Sequence, residues 1–252
     1  MKTGLVSVSF RGLSVKEIIK LAKENSLDCI EWGGDSHVKM GKVRFANKVR
    51  KMAERAGLKC DTYGSYYGSV YHKGEHIPLS FRRVLKTARA LGAKKIRIWA
   101  GWPGCTDNTE KEFNKAVLRT REMCVEAKKF GITLALECHM NTITDNYHNT
   151  IRFIESVGCD NLKTYWQINP QKSHEYNVEA AKALLPYMTD VHVFYWKNGE
   201  KLPLSEGADE WRDYIDILKS EDRIFFLEFM HDGKPSSLPE TADTLRSFLE
   251  NK

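Results

Sequence analysis

The stretch from Lys95 to Glu137 decides the fold: Lys95-Ile-Arg-Ile-Trp99, then Asn108 to Phe130, then Gly131, then Thr133-Leu-Ala-Leu-Glu137. Its outer parts are short apolar runs of strand length. Its middle has helical length and is stopped by a glycine. Strand, helix and strand in direct succession form a βαβ unit, whose strands lie parallel because the helix carries the chain back.

The same alternation extends in both directions. Toward the N-terminus, Leu5-Val-Ser-Val-Ser-Phe10 reads as a strand, and Ser14 with Glu17 is a capping box opening a helix to about Glu24. Cys29–Trp32 is a strand, Val43–Ala56 a helix closed by Gly57, and Lys59–Tyr63 a strand trailed by a polar, aromatic loop. Pro78 starts a helix that ends at Gly92. Toward the C-terminus, helices are expected over Asn146–Val157, Val178–Leu185, Trp211–Ser220 and Leu238–Glu250. The strands between them are Leu162–Gln167, Val191–Phe194 and Arg223–Phe229.

Eight strands thus alternate with eight helices, at a mean repeat of about 31 residues. Strict alternation implies a parallel sheet, and eight units imply a closed (β/α)8 TIM barrel of α/β class. The alternative is a doubly wound open sheet, but no Gly-x-Gly-x-x-Gly follows the first strand. No linker-like stretch divides the chain, so residues 1–252 are expected to form a single domain.

Composition agrees. With 42% hydrophobic and 29% charged residues, the chain belongs to neither the disordered nor the fibrous classes. No stretch approaches the ~20 apolar residues of a membrane span, and Met1-Lys-Thr-Gly-Leu5 turns straight into a strand without a signal peptide's apolar run. The six cysteines include no close Cys-x-x-Cys pair, so the expectation is a cytoplasmic protein with reduced thiols. The net charge of +6 is read as a solvated basic surface, because its clusters, such as Lys48–Lys51, are short.

In such barrels the chemistry sits at the C-terminal ends of the strands. Alternation turns Thr133, Ala135 and Glu137 inward and sets Gln167 on the face of Tyr165. His192 falls on the seventh strand, and Glu228 interrupts an apolar segment on the eighth, where an unpaired charge would be costly. Two carboxylates, an imidazole and an amide suit a divalent ion such as Mn2+, Mg2+, Co2+ or Zn2+. Taken singly, a strand histidine is a structural residue, and a lone glutamate pairs with a nearby arginine. Glu31 and Arg97 also point inward by parity and neutralise each other as a structural pair. His37 follows a Gly33-Gly34 turn and reaches toward the barrel mouth. Aromatic residues near strand ends, Trp196 among them, offer flat faces for sugar C–H groups.

The residues that carry a family likeness are Gly4–Phe10, Ile30–His37, Tyr63–Tyr67, Ile96–Gly101, Leu136–Asp145, Tyr165–Gln167, His192–Trp196 and Leu227–Phe229. In this order the chain resembles the xylose isomerase-like TIM-barrel superfamily, in its sugar phosphate isomerase/epimerase branch, over essentially its whole length. The resemblance implies metal ligation by Glu137, Gln167, His192 and Glu228, with Glu137 and Glu228 also handling the proton. Gln167 replaces the acidic residue usual on strand six, which removes one negative charge and places metal binding in doubt. The resemblance further implies substrate contacts from His37, His139, Asn169 and Trp196. The activity it implies is isomerisation or epimerisation of a sugar or sugar phosphate by metal-assisted proton abstraction next to a carbonyl. Keto-sugar elimination (a lyase or dehydratase, or keto-glycoside cleavage) shares that first step.

Two other classes stand beside it. A non-catalytic sugar-binding barrel is favoured by Gln167. An endonuclease IV-like nuclease is disfavoured, because a multi-zinc site needs more His and carboxylate ligands than strand six offers. The expected partner is therefore a small-molecule sugar derivative rather than nucleic acid or a membrane, with a homo-oligomer left open.

Overall fold

The computed structural model describes residues 1–68, 80–219 and 222–250. Its strands are β1 (Lys2–Val6), β2 (Cys29–Gly33), β3 (Lys59–Gly68), β4 (Lys95–Trp99), β5 (Thr133–Leu136), β6 (Leu162–Trp166), β7 (Met188–Val193) and β8 (Ile224–Leu227). Each pairs in parallel with the next, and β8 pairs with β1 to close the barrel. The outer layer is α1 (Val15–Glu24), α2 (Val43–Arg55), α3 (Phe81–Leu91), α4 (Glu110–Lys128), α5 (Tyr147–Val157), α6 (His174–Leu184), α7 (Ala208–Leu218) and α8 (Leu238–Glu250). The fold is the expected (β/α)8 barrel. No described helix is long and apolar enough to cross a membrane.

The capping box at Ser14 forms as read, and a second one, Thr109 with Glu112, opens α4. Several features differ from the sequence reading. Ser7–Phe10 leaves the sheet as a 3-10 turn. The Oγ of Ser7 accepts from the Gly33 N–H at 2.9 Å, and that of Ser9 from the Phe229 N–H at 3.0 Å, so the alternating serines clamp neighbouring strand ends. Conversely, the aromatic stretch after Tyr63 stays within β3, with a register shift against β4 between Gly64 and Tyr67. Helix α6 starts at His174 rather than Val178, because Ser173 caps it. An unexpected hairpin pairs Trp196–Lys197 antiparallel with Glu200–Lys201. The expected helix start at Pro78 and helix end at Ser220 lie outside the described residues.

The barrel interior is divided by chemistry. Beside β8, β1 and β2 it is apolar, filled by Val6, Val8, Cys29, Ile224 and Phe226. Gly4 belongs to that packing: a Cβ there would stand 2.5 Å from the Phe226 ring, its register partner. The other half is polar, with Glu31, Thr62, Arg97, Tyr165 and His192 buried. An interior that carries charge must pair it, and that pairing builds the site.

Candidate active site

Arg97, on β4, is 1% exposed and holds carboxylates on both sides. Its Nε donates to Glu31 Oε1 at 2.8 Å, and its Nη1 donates to Glu137 Oε2. The opposite oxygen of Glu31 accepts from Thr62 Oγ1 at 3.2 Å and faces His192 Nε2 at 3.6 Å. On its other side, His192 Nδ1 lies 3.3 Å from Glu228 Oε2 and 3.1 Å from Gln167 Oε1. The Gln167 amide is oriented by its Nε2, which donates to the Cys138 carbonyl at 3.2 Å. Charge therefore alternates in one file across the barrel: Glu137, Arg97, Glu31, His192, Glu228.

That alternation sets the proton affinities. Burial opposes ionisation of Glu31, but Arg97 and His192 outweigh it and hold the carboxyl below the usual range. Burial likewise opposes ionisation of Glu137, and Arg97, His192 and His139 again bring it down. For His192, burial disfavours the charged ring, yet Glu228 and Glu31 push it up to about 10. The imidazole therefore carries a proton at neutral pH, and Nδ1–H donates toward Gln167.

Gly64 makes room for this arrangement. A Cβ on it would sit 2.8 Å from both Arg97 Nη2 and Glu31 Oε1. One bulge residue further, Tyr66 has a left-handed backbone at φ +55° and lays its ring 4.6 Å from the Arg97 guanidinium. The cost of such a conformation for a bulky residue is accepted here to cap the ion pair.

Above the charge file opens a cavity of about 120 Å3, lined by Glu137, His139, Gln167, Asn169, Trp196 and Glu228, among others. A larger groove of about 920 Å3 runs between α3 and α4, but none of the charge-file residues lines it. The central cavity takes precedence because the coupled ionisable groups converge there.

Of the residues expected from sequence, Glu137, Gln167, His192 and Glu228 come together. His139 lines the cavity, stacked on Trp99 at 4.8 Å, with its Nδ1 donating to the Met140 carbonyl at 2.9 Å. Asn169 lines it too, although its Oδ1 accepts from the Gln171 N–H at 3.1 Å and serves the loop. The buried indole Nε1 of Trp196 has no hydrogen-bond partner among the described residues. His37 stands elsewhere: its Nε2 donates to the Leu13 carbonyl at 3.0 Å, in a separate groove beside α1 and α2. Sequence reasoning paired Arg97 with Glu31 and held a lone glutamate's pairing with Arg97 as the structural alternative to a metal role; the structure has Arg97 hold Glu31 and Glu137 at once. It counted Trp99 only among the aromatics near strand ends, whereas the Trp99 Nε1 donates to Glu137 Oε2 at 2.7 Å.

The donors match a divalent ion in kind but not in arrangement. Glu137 Oε2 is engaged by Arg97 and Trp99, and His192 Nδ1 is turned to Gln167 Oε1 at 3.1 Å and Glu228 Oε2 at 3.3 Å, with no open position between them. Among the described residues no three His, Cys, Asp or Glu side chains converge to hold a metal. The residues as placed do not fit an ion.

Fold and centre together define an eight-stranded parallel barrel with a carboxylate-rich charged centre at its strand C-termini. A family model for the xylose isomerase-like TIM barrel matches residues 19–251, and the chain belongs to that family. A 3-dehydroshikimate dehydratase from Bacillus anthracis is 25% identical over 262 residues, covering 93% of each chain. Among solved structures, the probable 3-DHS dehydratase AsbF from Bacillus anthracis superposes with TM-score 0.78 at 22% identity, covering 98% of this chain and 99% of that one. A D-psicose 3-epimerase determined in the presence of D-fructose gives 0.72 at 15% identity, with both chains fully covered. The IolI protein with a bound zinc atom gives 0.72 at 14% identity, covering 98% and 96%. The named relatives are a dehydratase and an epimerase, so the chain stands among enzymes.

Proposed function

We propose that this protein is a dehydratase that removes a proton next to the carbonyl of a hydroxylated keto substrate and expels the β-hydroxyl as water. The observation that carries this reading is the unequal engagement of the two cavity carboxylates. Glu137 Oε2 accepts from Arg97 and Trp99 and is held at low proton affinity, which makes it a poor base. Glu228 lines the cavity, and among the described residues only protonated His192 stands against its Oε2. Epimerisation through two bases needs both carboxylates free to exchange protons, whereas elimination on one face needs a single one.

In this scheme Glu228 takes the α-proton, the C–H electron pair forms the new C=C bond, and the β-C–O bond breaks. Glu228 then returns the proton to the departing hydroxide, so that water leaves and the carboxylate is regenerated. His192 and Arg97, fixed beneath the cavity, offset the negative charge that develops on the carbonyl oxygen. The unpartnered Trp196 N–H and the Gln167 amide supply donors for substrate oxygens. The dehydratase relative, aligned over 93% of the chain, supports elimination over isomerisation.

The test is incubation with 3-dehydroshikimate and a panel of ketoses and their phosphates in D2O. The expected results are an absorbing dehydration product and, in substrate recovered before elimination, deuterium at the carbon beside the carbonyl. Glu228→Gln should lower kcat by at least ~10²-fold, and Glu137→Gln should cost less. Equal losses in both variants, or exchange unchanged in Glu228→Gln, would refute the single-base assignment.

A further inference from the structure

The loop after β7 carries a device that the chemistry above does not use. Trp196–Lys197 and Glu200–Lys201 form a tight hairpin, turned by Asn198 at φ +53° and Gly199 at φ +81°. This Asn-Gly turn with both residues left-handed matches the twist of the flanking strands and fixes their register. Trp196 lies directly opposite Lys201, and Lys197 directly opposite Glu200. Side chains alternate along each strand, so the two pairs occupy opposite faces.

The faces have different fates. Lys197 is neutralised: its Nζ lies 3.2 Å from Glu210 Oε1 and 3.3 Å from Tyr195 Oη. Lys201 is not. Its Nζ stands over the Trp196 ring at 4.9 Å and the Phe229 ring at 5.1 Å, and it forms no ion pair among the described residues. Both rings line the central cavity. Phe229, the residue after Glu228, adopts φ +51°, an unfavourable backbone for a bulky side chain, and its ring packs 5.9 Å from Trp196. An aromatic platform thus holds an ammonium at the rim while leaving its full charge available to a ligand, because ring faces attract a cation without neutralising it. Below it the cavity offers two carboxylates, Glu137 and Glu228. A rim cation above a carboxylate floor sorts substrates by where their negative charge lies.

We infer that Lys201 is a specificity-determining residue that recognises an anionic substituent, a carboxylate or a phosphate, on the end of the substrate remote from the reacting carbons. The assignment rests on the central cavity being the substrate site, as in the dehydratase reading, but not on the fate of the proton. Binding therefore tests it independently of turnover.

The experiment is calorimetric titration of wild type, Lys201→Gln and Lys201→Arg with D-fructose, D-fructuronate and D-fructose 6-phosphate. These are a neutral ketose and its carboxylate-bearing and phosphate-bearing counterparts. Wild type should bind at least one anionic probe more tightly than fructose, by about three- to ten-fold, and added salt should shrink the advantage. Lys201→Gln should abolish that advantage while leaving fructose affinity unchanged, and Lys201→Arg should keep most of it. The probe showing the Lys201-dependent advantage identifies the anion. An anion preference that persists in Lys201→Gln overturns the assignment. So does a wild type that binds neither anion better than fructose, including one that binds none of the three. A Lys201-dependent preference without any dehydration product upholds this inference while removing the dehydratase reading.

Discussion

Replacing Arg97 with methionine tests the charge file at its most buried cation. The substitution keeps much of the side-chain volume and strands Glu31, fully buried, together with Glu137, 5% exposed. Breaking a buried pair by removing one partner costs about 3–5 kcal/mol. Uptake of a proton by a stranded carboxyl limits the penalty, since each pKa unit is worth about 1.4 kcal/mol. For a chain of this length, a loss of that size lowers Tm by on the order of 6–20 °C. Its pH dependence is the sharper signature. In wild type the depressed Glu31 and Glu137 contribute stability that is present above their unfolded value near ~4.3 and lost as pH falls through the lower folded values. Without Arg97, burial raises the folded values above the unfolded one, so the variant loses stability as pH rises from about 5 to about 8. Thermal unfolding followed by circular dichroism at both ends of that window should show the gap to wild type widening with pH. The double variant Glu31→Gln/Arg97→Met should recover part of the loss. A gap that stays constant or narrows toward high pH would refute the idea that Arg97 neutralises these carboxylates.

Gly64→Ala should destabilise by about 1–3 kcal/mol, because its methyl meets Arg97 Nη2 and Glu31 Oε1 at 2.8 Å. A lowered denaturant midpoint at unchanged m-value is the check. His192, pushed up to about 10 by Glu228 and Glu31 against the opposing effect of burial, contributes stability that is fully present below its unfolded value near ~6.5 and lost as pH rises through about 10. His192→Asn should therefore flatten the decline across that alkaline window, and a decline as steep as wild type's would contradict the raised value.

Periodic burial is why so much of the barrel was legible in the sequence. Helices such as α4 announce themselves by length and by the stop at Gly131, and parity turned Glu31, Arg97 and Glu137 inward before any coordinates. Parity cannot say how far a long side chain reaches, so the bridge from Arg97 to both carboxylates needed the register of β2 through β5. Ser7–Phe10 misled because alternating serine and apolar residues imitate a strand, while the serine hydroxyls serve as clamps for Gly33 and Phe229. The hairpin at Trp196 was missed although Asn198-Gly199 is a strong turn signal, because strands of two residues each show no period. His37 was misplaced for a related reason: the path of a loop after Gly33-Gly34 is set by contacts with α1 that no local pattern encodes.

The alternating charges in the barrel also constrain how descendants of this sequence can diverge. Each interior member of the file compensates both of its neighbours, so a solitary replacement of Glu31, Arg97 or His192 strands an ion that solvent does not reach. Drift at these positions must proceed by coordinated pairs, an acid leaving with the base beside it, and single-step intermediates are filtered out. Lys201, on an exposed two-residue strand outside the file, carries no such obligation. In this scaffold, therefore, the choice of ligand is free to evolve one residue at a time, while the machinery beneath it is inherited as a block.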